Sequence, residues 1–305
     1  MNTANNSAVG TLIAQAFGND VYTYAVNKQR GGDSGKKGSR YEDFFLAYKA
    51  AKIAVENLDK PCPWPHLQGQ IFGFVDDAVV RTPTETEYSQ LKNVESISWS
   101  SGKHPLEKDF YYQYSLAVQM GDASPRTQLV VSNKDLKDKL KASMPNAISA
   151  HTQVLHFPYG DGSKNRLLLE SVELQDLLRP LSKKPNPSLA DLESVFGVLI
   201  IATFNEPDGG TVDSLLRAAN LEHPYQLRLL DVVDLKQIVH VEFEGLLAAI
   251  SGLSYSFDKG FFSWSGFGMS QTMHTDCTSE EFGRFQRRIV QHKPQTFDDF
   301  EELLP

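Results

Sequence analysis

The sequence predicts an α/β protein whose first half follows the order αβββαβ and whose second half is mostly helical. Apolar residues between positions 40 and 58 recur every three or four places, which indicates an amphipathic helix. Residues 88–92 alternate polar and apolar side chains with period two, as in a strand with one buried face. A helix over 108–120 and strands over 127–132 and 152–157 complete the order, provided that a third strand lies near residues 88–92.

Before residue 40, the sequence predicts two short elements and a loop. Residues 9–17 predict a short helix, and the β-branched and aromatic run 21–26 predicts a strand. The glycines and lysines of residues 30–38 predict a flexible basic loop whose backbone can approach a phosphate closely.

Beyond Pro158 helical patterns dominate, so we expect a first domain over residues 1–160 and a mostly helical accessory or assembly domain over 161–305. Helices are predicted over 167–178, 191–204, 212–221 and 232–253. The run 256–269, rich in aromatic residues, glycine and serine, predicts a loop folded onto the helical core, with a partner-binding or base-stacking patch as the alternative.

The composition is that of an ordinary globular protein. Apolar residues make up 41% of the 305 residues, and there is no apolar run long enough to span a bilayer. The first ten residues lack the basic start and apolar block of a signal peptide, so we expect a cytoplasmic protein that does not act at a membrane. Cys62 and Cys277 are too far apart for a disulfide framework or a zinc ribbon, and we expect both to be reduced.

Acid, amide and amine side chains are close together on two adjacent predicted strands. Asp76 and Asp77 precede the buried apolar run 78–80. Strand alternation turns only one of these acids towards a bound ion, and we prefer Asp77 because the apolar run follows it directly. In the next strand, Gln90 and Lys92 share one face. Carboxylate and amide oxygens suit Mg²⁺, and the ammonium can orient an attacking water and offset charge on a phosphate. Taken alone, the same residues also fit a solvated turn and an ordinary amphipathic strand.

The order and spacing of these residues resemble the PD-(D/E)xK nuclease superfamily in its Mrr-like form, in which glutamine replaces the second acid. The match consists of an Asp followed by three apolar residues and then a Gln-x-Lys strand. Upstream, residues 38–42 open a helix where that family carries a glutamate that completes the metal site. The chain looks most like the double-stranded-DNA endonuclease domain of bacterial anti-phage effectors, notably those of cyclic-oligonucleotide (CBASS) systems. This resemblance covers residues 28–160.

The resemblance implies a restriction-endonuclease-like core and Mg²⁺-dependent hydrolysis of double-stranded DNA, with Mn²⁺ as an alternative metal. Glu42, Asp77 and Gln90 would position the metal, and the Leu91 carbonyl would be a further ligand. Lys92 would assist the attacking water. Asp76 is the alternative metal ligand.

Charge bears on how such a protein would hold DNA. The net charge of −8 argues against a broad DNA-binding surface, because sequence-independent affinity comes mostly from neutralised phosphates. Basic residues, Lys28 among them, nevertheless crowd positions 28–60 and predict a basic entrance to the site. The residues expected to contact DNA are Arg30, Lys36, Lys37 and Arg40. We expect help from self-assembly into a homo-oligomer or from a partner defence protein such as an ATPase or sensor. The alternative is a non-catalytic subunit that keeps the nuclease fold and acts in a defence complex.

Overall fold

The computed structural model describes residues 3–35, 40–58, 60, 63–223, 226–228, 230 and 234–305. It shows a six-stranded mixed sheet with helices on both faces, followed by a three-stranded sheet with helices of its own. The predicted α/β class is therefore confirmed. Within the described residues, no helix combines the length and the apolar content needed to cross a bilayer.

Two helices precede the central sheet. Helix α1 (Thr3–Phe17) confirms the helix predicted over 9–17. Helix α2 (Asn19–Gly35) contradicts the strand predicted over 21–26, and it also contradicts the loop predicted over 30–38 as far as residue 35. The rest of that predicted loop lies outside the described residues.

Packing explains why α2 is helical despite its β-branched and aromatic residues. Lys28 follows Ala25 by three positions and Tyr24 by four, so a helix brings these residues to one side. Ala25 is fully buried in a cluster with Ile13 of α1 and Phe74. The tertiary burial of this side outweighs the local β propensity.

The central sheet contains the strands β1 (His66–Gly69), β2 (Ala78–Arg81), β3 (Thr86–Lys92), β4 (Pro125–Val131), β5 (Thr152–His156) and β6 (Gly210–Thr211). Their spatial order is β5-β4-β3-β2-β1-β6. Neighbours from β6 to β3 are antiparallel, whereas β3, β4 and β5 are parallel. The four strands predicted from residue 78 onwards are confirmed, and β1 supplies the additional strand beside β2.

Helices cover both faces of this sheet. Helix α3 (Arg40–Asn57) packs on one face and α4 (Leu106–Met120) on the other, and both confirm predicted helices. Side chains of β3 alternate between the two layers: Leu91 lies in the α3 cluster and Tyr88 in the α4 cluster. The short helices α5 (Lys134–Ala142) and α6 (Asn146–Ser149) lie beside β5.

The layer over α3 extends well beyond residue 160. It includes helices α7 (Lys164–Glu170), α8 (Val172–Leu178), α9 (Leu189–Asn205) and α10 (Val212–Glu222). The ring centroids of Phe196 in α9 and Phe44 in α3 are 5.6 Å apart, and β6 pairs with β1. The hydrophobic core thus crosses the domain boundary predicted at residue 160. The helix predicted over 167–178 is two helices, because the Ser171 side chain caps the start of α8.

A separate hydrophobic cluster holds the C-terminal part together. Its elements are α11 (Leu235–Ile238), α12 (Val241–Ala249), β7 (Ser254–Asp258), β8 (Phe261–Gly266), β9 (Met269–Asp276), α13 (Glu280–His292) and α14 (Phe297–Glu301). The loop predicted over 256–269 is wrong, since these residues form antiparallel strands. Phe262 and Trp264 are alternate residues of β8 and are both buried in the cluster. Glycines in this run mark the hairpin turns, where residues 259–260 and 267–268 have positive φ.

Candidate functional site

Asp77 and Gln90 meet where β2 begins and β3 ends. The antiparallel register pairs Ala78 with Ser89, which brings the two side chains to the same edge of the sheet. The Gln90 side-chain amide donates a hydrogen bond to Asp77 Oδ2, and Leu91 N–H donates to the same oxygen over 2.6 Å. Asp77 therefore contacts both Gln90 and the backbone of Leu91, the latter through the N–H group.

Gln90 and Lys92 line one cleft on the α4 side of the sheet. The cleft has a volume of about 820 Å³ and lies between the end of β3, helix α2 and the start of α4. Leu91 points away from it, into the cluster on the α3 side. The period-two alternation of β3 thus presents an amide and an ammonium to the same space, as the sequence predicts.

A largely buried ammonium lies among the oxygen atoms beside this cleft. Lys28 Nζ donates to Gln90 Oε1 over 2.9 Å and to the Phe74 carbonyl. It also pairs with Asp109 Oδ2 at 3.2 Å and with Asp76 Oδ1 at 3.4 Å. The Lys28 side chain is 18% exposed. The sequence predicts Lys28 at a basic entrance to the site, and the structure places it deeper, because α2 directs its ammonium among the oxygens of Gln90, Asp76 and Asp109.

Asp109 reaches the site from α4 and is held by neighbours that the sequence analysis did not identify. Its side chain is 6% exposed. Tyr24 O–H donates to the Asp109 carboxylate, 3.0 Å from each oxygen, and the His104 ring stacks on Tyr24 with centroids 3.7 Å apart. These contacts hold α2 and α4 together around the buried ion pair.

A sequence signal for Asp109 did exist. Asp109 and Gln113 are one helical turn apart, and both lie on the buried face of α4, where apolar side chains are expected. Gln113 Oε1 accepts hydrogen bonds from the N–H groups of Phe74 and Val75, at 2.9 and 3.3 Å. Two polar residues on the apolar stripe of a helix thus indicate a buried polar network next to it.

Around the cleft, the three carboxylates of Asp76, Asp77 and Asp109 outnumber the two ammonium groups of Lys28 and Lys92. Burial, the largest single effect, lowers the pKa of Lys28, but Asp76 and Asp109 together raise it above its ordinary value. Burial raises the pKa of Asp76 to about 6, opposed by Lys28 and reinforced by Asp77. Lys92 also acts on Asp76 and favours its charged form. Lys28, shared among several carboxylates, holds its proton firmly, and Asp76 is an acid that is costly to keep charged.

Glu42 comes from α3, the helix on the opposite face of the sheet. Gln70 connects it to the site: Gln70 Nε2 donates to Glu42 Oε2 over 3.0 Å, and Gln70 N–H donates to the Asp77 carbonyl over 3.2 Å. In the described part of the chain, no group of three or more His, Cys, Asp and Glu side chains is arranged to hold a metal ion. A metal here would need amide and peptide oxygens in addition to carboxylates.

The predicted DNA-binding residues can be placed only in part. Lys36, Lys37 and the Arg30 side chain lie outside the described residues. Arg40 is exposed at the start of α3, and its Nη1 donates to the Gly162 carbonyl over 3.3 Å. Arg40 therefore lies at the surface, at the same end of α3 as Glu42.

The polar side chains around the cleft have two chemical capabilities. Carboxylate, amide and peptide oxygens at the end of β3 can hold a cation, as they hold the Lys28 ammonium, and Lys92 can donate to an anion in the cleft. Comparison of the chain with family models, curated proteins and solved structures found no match.

Proposed function

We propose that this protein is a metal-dependent endonuclease that hydrolyses phosphodiester bonds of double-stranded DNA, acting in the cytoplasm as an effector of bacterial anti-phage defence. The observation that carries the proposal is the convergence of Asp77, Gln90 and Lys92 at the adjoining ends of β2 and β3. The substrate and the defence role come from the resemblance to PD-(D/E)xK nucleases, and they are part of the proposal.

The topology supports a restriction-endonuclease-like core. From α3 through β1, β2 and β3 to α4 and β4, the elements follow the order αβββαβ. The sheet is antiparallel as far as β3 and parallel beyond it. A fold alone does not establish an activity, but the pairing of β2 with β3 is what brings the Asp beside the Gln-x-Lys motif.

In the proposed site, Asp77 and Gln90 would contribute oxygen ligands to Mg²⁺ or Mn²⁺, with Asp76 as the alternative carboxylate. This donor set fits a hard cation, since the Lys28 ammonium already draws on Asp76 and Gln90 oxygens. The bound metal would lower the pKa of a water molecule and neutralise charge on the phosphate. Lys92 faces the cleft, where its ammonium can hold that water and stabilise charge that develops on the phosphoryl oxygens.

The family pattern adds two ligands to this set. They are Glu42 from α3, whose carboxylate accepts a hydrogen bond from the Gln70 side chain in the structure, and the Leu91 carbonyl from the strand itself. Arg40 would contact the DNA backbone near Glu42. With a net charge of −8, the chain is expected to need a homo-oligomer or a partner such as an ATPase or sensor to hold DNA firmly.

Plasmid cleavage tests the proposal directly. Purified protein with Mg²⁺ or Mn²⁺ should convert supercoiled plasmid to nicked or linear forms, and D77A and K92A should each reduce the rate by about a hundredfold or more. K108A is the matched control, because Lys108 is exposed on α4 outside the cleft. Cleavage that persists in K92A would contradict the assignment of the site. Comparing matched DNA and RNA duplexes decides the substrate.

A second function is favoured by one specific observation. The Lys28 ammonium already contacts the oxygens of Asp76, Asp109 and Gln90 that a metal would need. A protein that keeps the nuclease fold as a non-catalytic assembly subunit would show this arrangement permanently. Absence of cleavage with either metal, by the protein alone and in its native complex, would favour this second function.

A further inference from the structure

A cation of the protein itself contacts Gln90, one of the predicted metal ligands, and Asp76, the alternative ligand. The Lys28 ammonium is surrounded by Gln90 Oε1 at 2.9 Å, Asp109 Oδ2 at 3.2 Å, Asp76 Oδ1 at 3.4 Å and the Phe74 carbonyl. Two carboxylates, an amide and a peptide carbonyl form the kind of oxygen set that binds hard divalent cations. The ammonium therefore occupies an oxygen site with the chemistry of a metal site.

Lys28 does not belong to the strands that carry the motifs. Lys28 belongs to α2, which packs against α1, and α2 is linked to α4 through the Tyr24–Asp109 hydrogen bond. The side-chain oxygens around Lys28 come from the end of β3, from α4 and from Asp76 just before β2. Movement of α2 could thus remove the ammonium while the oxygens stay in place on the sheet and on α4.

We propose that Lys28 and a divalent metal ion compete for the oxygens of Asp76, Gln90 and Asp109, so that the metal binds when α2 withdraws the ammonium. This inference rests on the proposed function and deepens it. It adds Asp109 to the ligands and makes α2 the element that controls metal loading. Competition follows because two cations cannot share these oxygens without strong repulsion at such short distances.

Direct measurement of Mn²⁺ binding tests the competition without relying on cleavage. Titration of full-length protein, followed by electron paramagnetic resonance of free Mn²⁺, should show K28M binding the ion about tenfold or more tightly than the wild type. K28R keeps the positive charge and should bind no more tightly than the wild type. K108M removes a lysine on the exposed face of α4 and should change the affinity by less than about twofold.

A second variant keeps the test usable if K28M does not fold. If circular dichroism shows that K28M is unfolded, K28Q is measured instead, because its amide can still hydrogen-bond to Asp109 without carrying charge. The same gain in affinity is expected. Adding D109N to whichever variant folds should abolish most of the gain in Mn²⁺ affinity, because the proposal makes Asp109 a ligand of the metal.

Motion of α2 provides an independent readout. Saturating Mn²⁺ should speed amide hydrogen exchange in residues 19–35 of the wild type and should leave the same residues unchanged in K28M. Exchange that slows in the wild type on Mn²⁺ addition would overturn the idea that α2 withdraws.

The outcomes separate this inference from the proposed function. If wild-type protein cleaves DNA in a Lys92-dependent manner but K28M gains no affinity for Mn²⁺, the competition is wrong and the endonuclease proposal stands. If K28M binds Mn²⁺ tightly but no variant cleaves DNA, either alone or in the native complex, the competition stands and the endonuclease proposal is wrong. Weaker Mn²⁺ binding by K28M would mean that Lys28 supports the ligands and would also overturn the competition.

Discussion

Replacing Asp76 by asparagine should stabilise the protein at neutral pH, although it removes one partner of a buried lysine. Burial raises the pKa of Asp76 from its ordinary 3.8 to about 6, against the opposing effect of Lys28. Asp77 adds to the rise, and Lys92 opposes it. A pKa difference of one corresponds to about 1.4 kcal/mol, so keeping Asp76 charged in the folded state costs about 3 kcal/mol. Lys28 also pairs with Asp109 at 3.2 Å, and we expect the variant to keep this partner.

The pH dependence follows from the sign of this change. Because the pKa of Asp76 is raised on folding, the folded state binds more protons than the unfolded state between about pH 4 and pH 6. The stabilising contribution of the protonated acid is present below about pH 4 and is lost as the pH rises through about 6. Asparagine resembles the protonated acid at every pH. D76N and the wild type should therefore be similar at pH 4, and D76N should be more stable by up to about 3 kcal/mol at pH 7.5.

Urea unfolding followed by circular dichroism at both pH values measures this difference. D138N is a matched control: Asp138 is exposed, and the Lys137 side chain lowers its pKa, so this variant should gain no stability at pH 7.5. The reasoning is refuted if D76N is less stable than the wild type at pH 7.5, or if their difference does not change with pH.

Three further predictions concern the packing around the site and in the C-terminal part. Tyr24→Phe removes the hydroxyl donor to a buried carboxylate and should lower the free energy of unfolding by about 1 kcal/mol, measured by urea unfolding. Lys49→Met leaves Glu87 largely buried without its cation and should cost about 3 kcal/mol, most of which adding Glu87→Gln should restore in a double-mutant cycle. Gly266→Ala should lower the melting temperature, because the added Cβ would lie 2.3 Å from an aromatic ring carbon, whereas Gly245→Ala has open space in a helix and should gain about 1 kcal/mol.

Local pattern was enough to predict much of the first half of the chain. Helices α3 and α4 and strands β2 to β5 follow from periodicity, because the spacing of apolar residues along a helix or strand is a property of neighbouring residues. The same reasoning correctly puts Gln90 and Lys92 on one face of β3. It also predicts a strand carrying Asp77 next to this one.

Local pattern failed where burial by distant residues decides the structure. The aromatic run of α2 has the composition of a strand, but its contacts with α1 and Phe74 make it helical. The aromatic run of β8 has the glycines of a loop, yet Phe262 and Trp264 alternate into a core built with α12, α13 and α14. The glycines of this run suggest a flexible loop, whereas in the structure they mark the hairpin turns at residues 259–260 and 267–268.

The sequence by itself determined that Asp77, Gln90 and Lys92 lie together at the adjoining ends of β2 and β3, because the pairing of two adjacent strands and the alternation along β3 depend on neighbouring residues. Only the tertiary structure decided that Lys28 lies among these oxygens and that Asp109 faces it from 81 positions away. It also decided that Glu42 lies on the opposite face of the sheet, where it contacts Gln70. Contacts between distant segments depend on how helices pack on the sheet, and the period of a single segment carries no information about which remote helix will cover it.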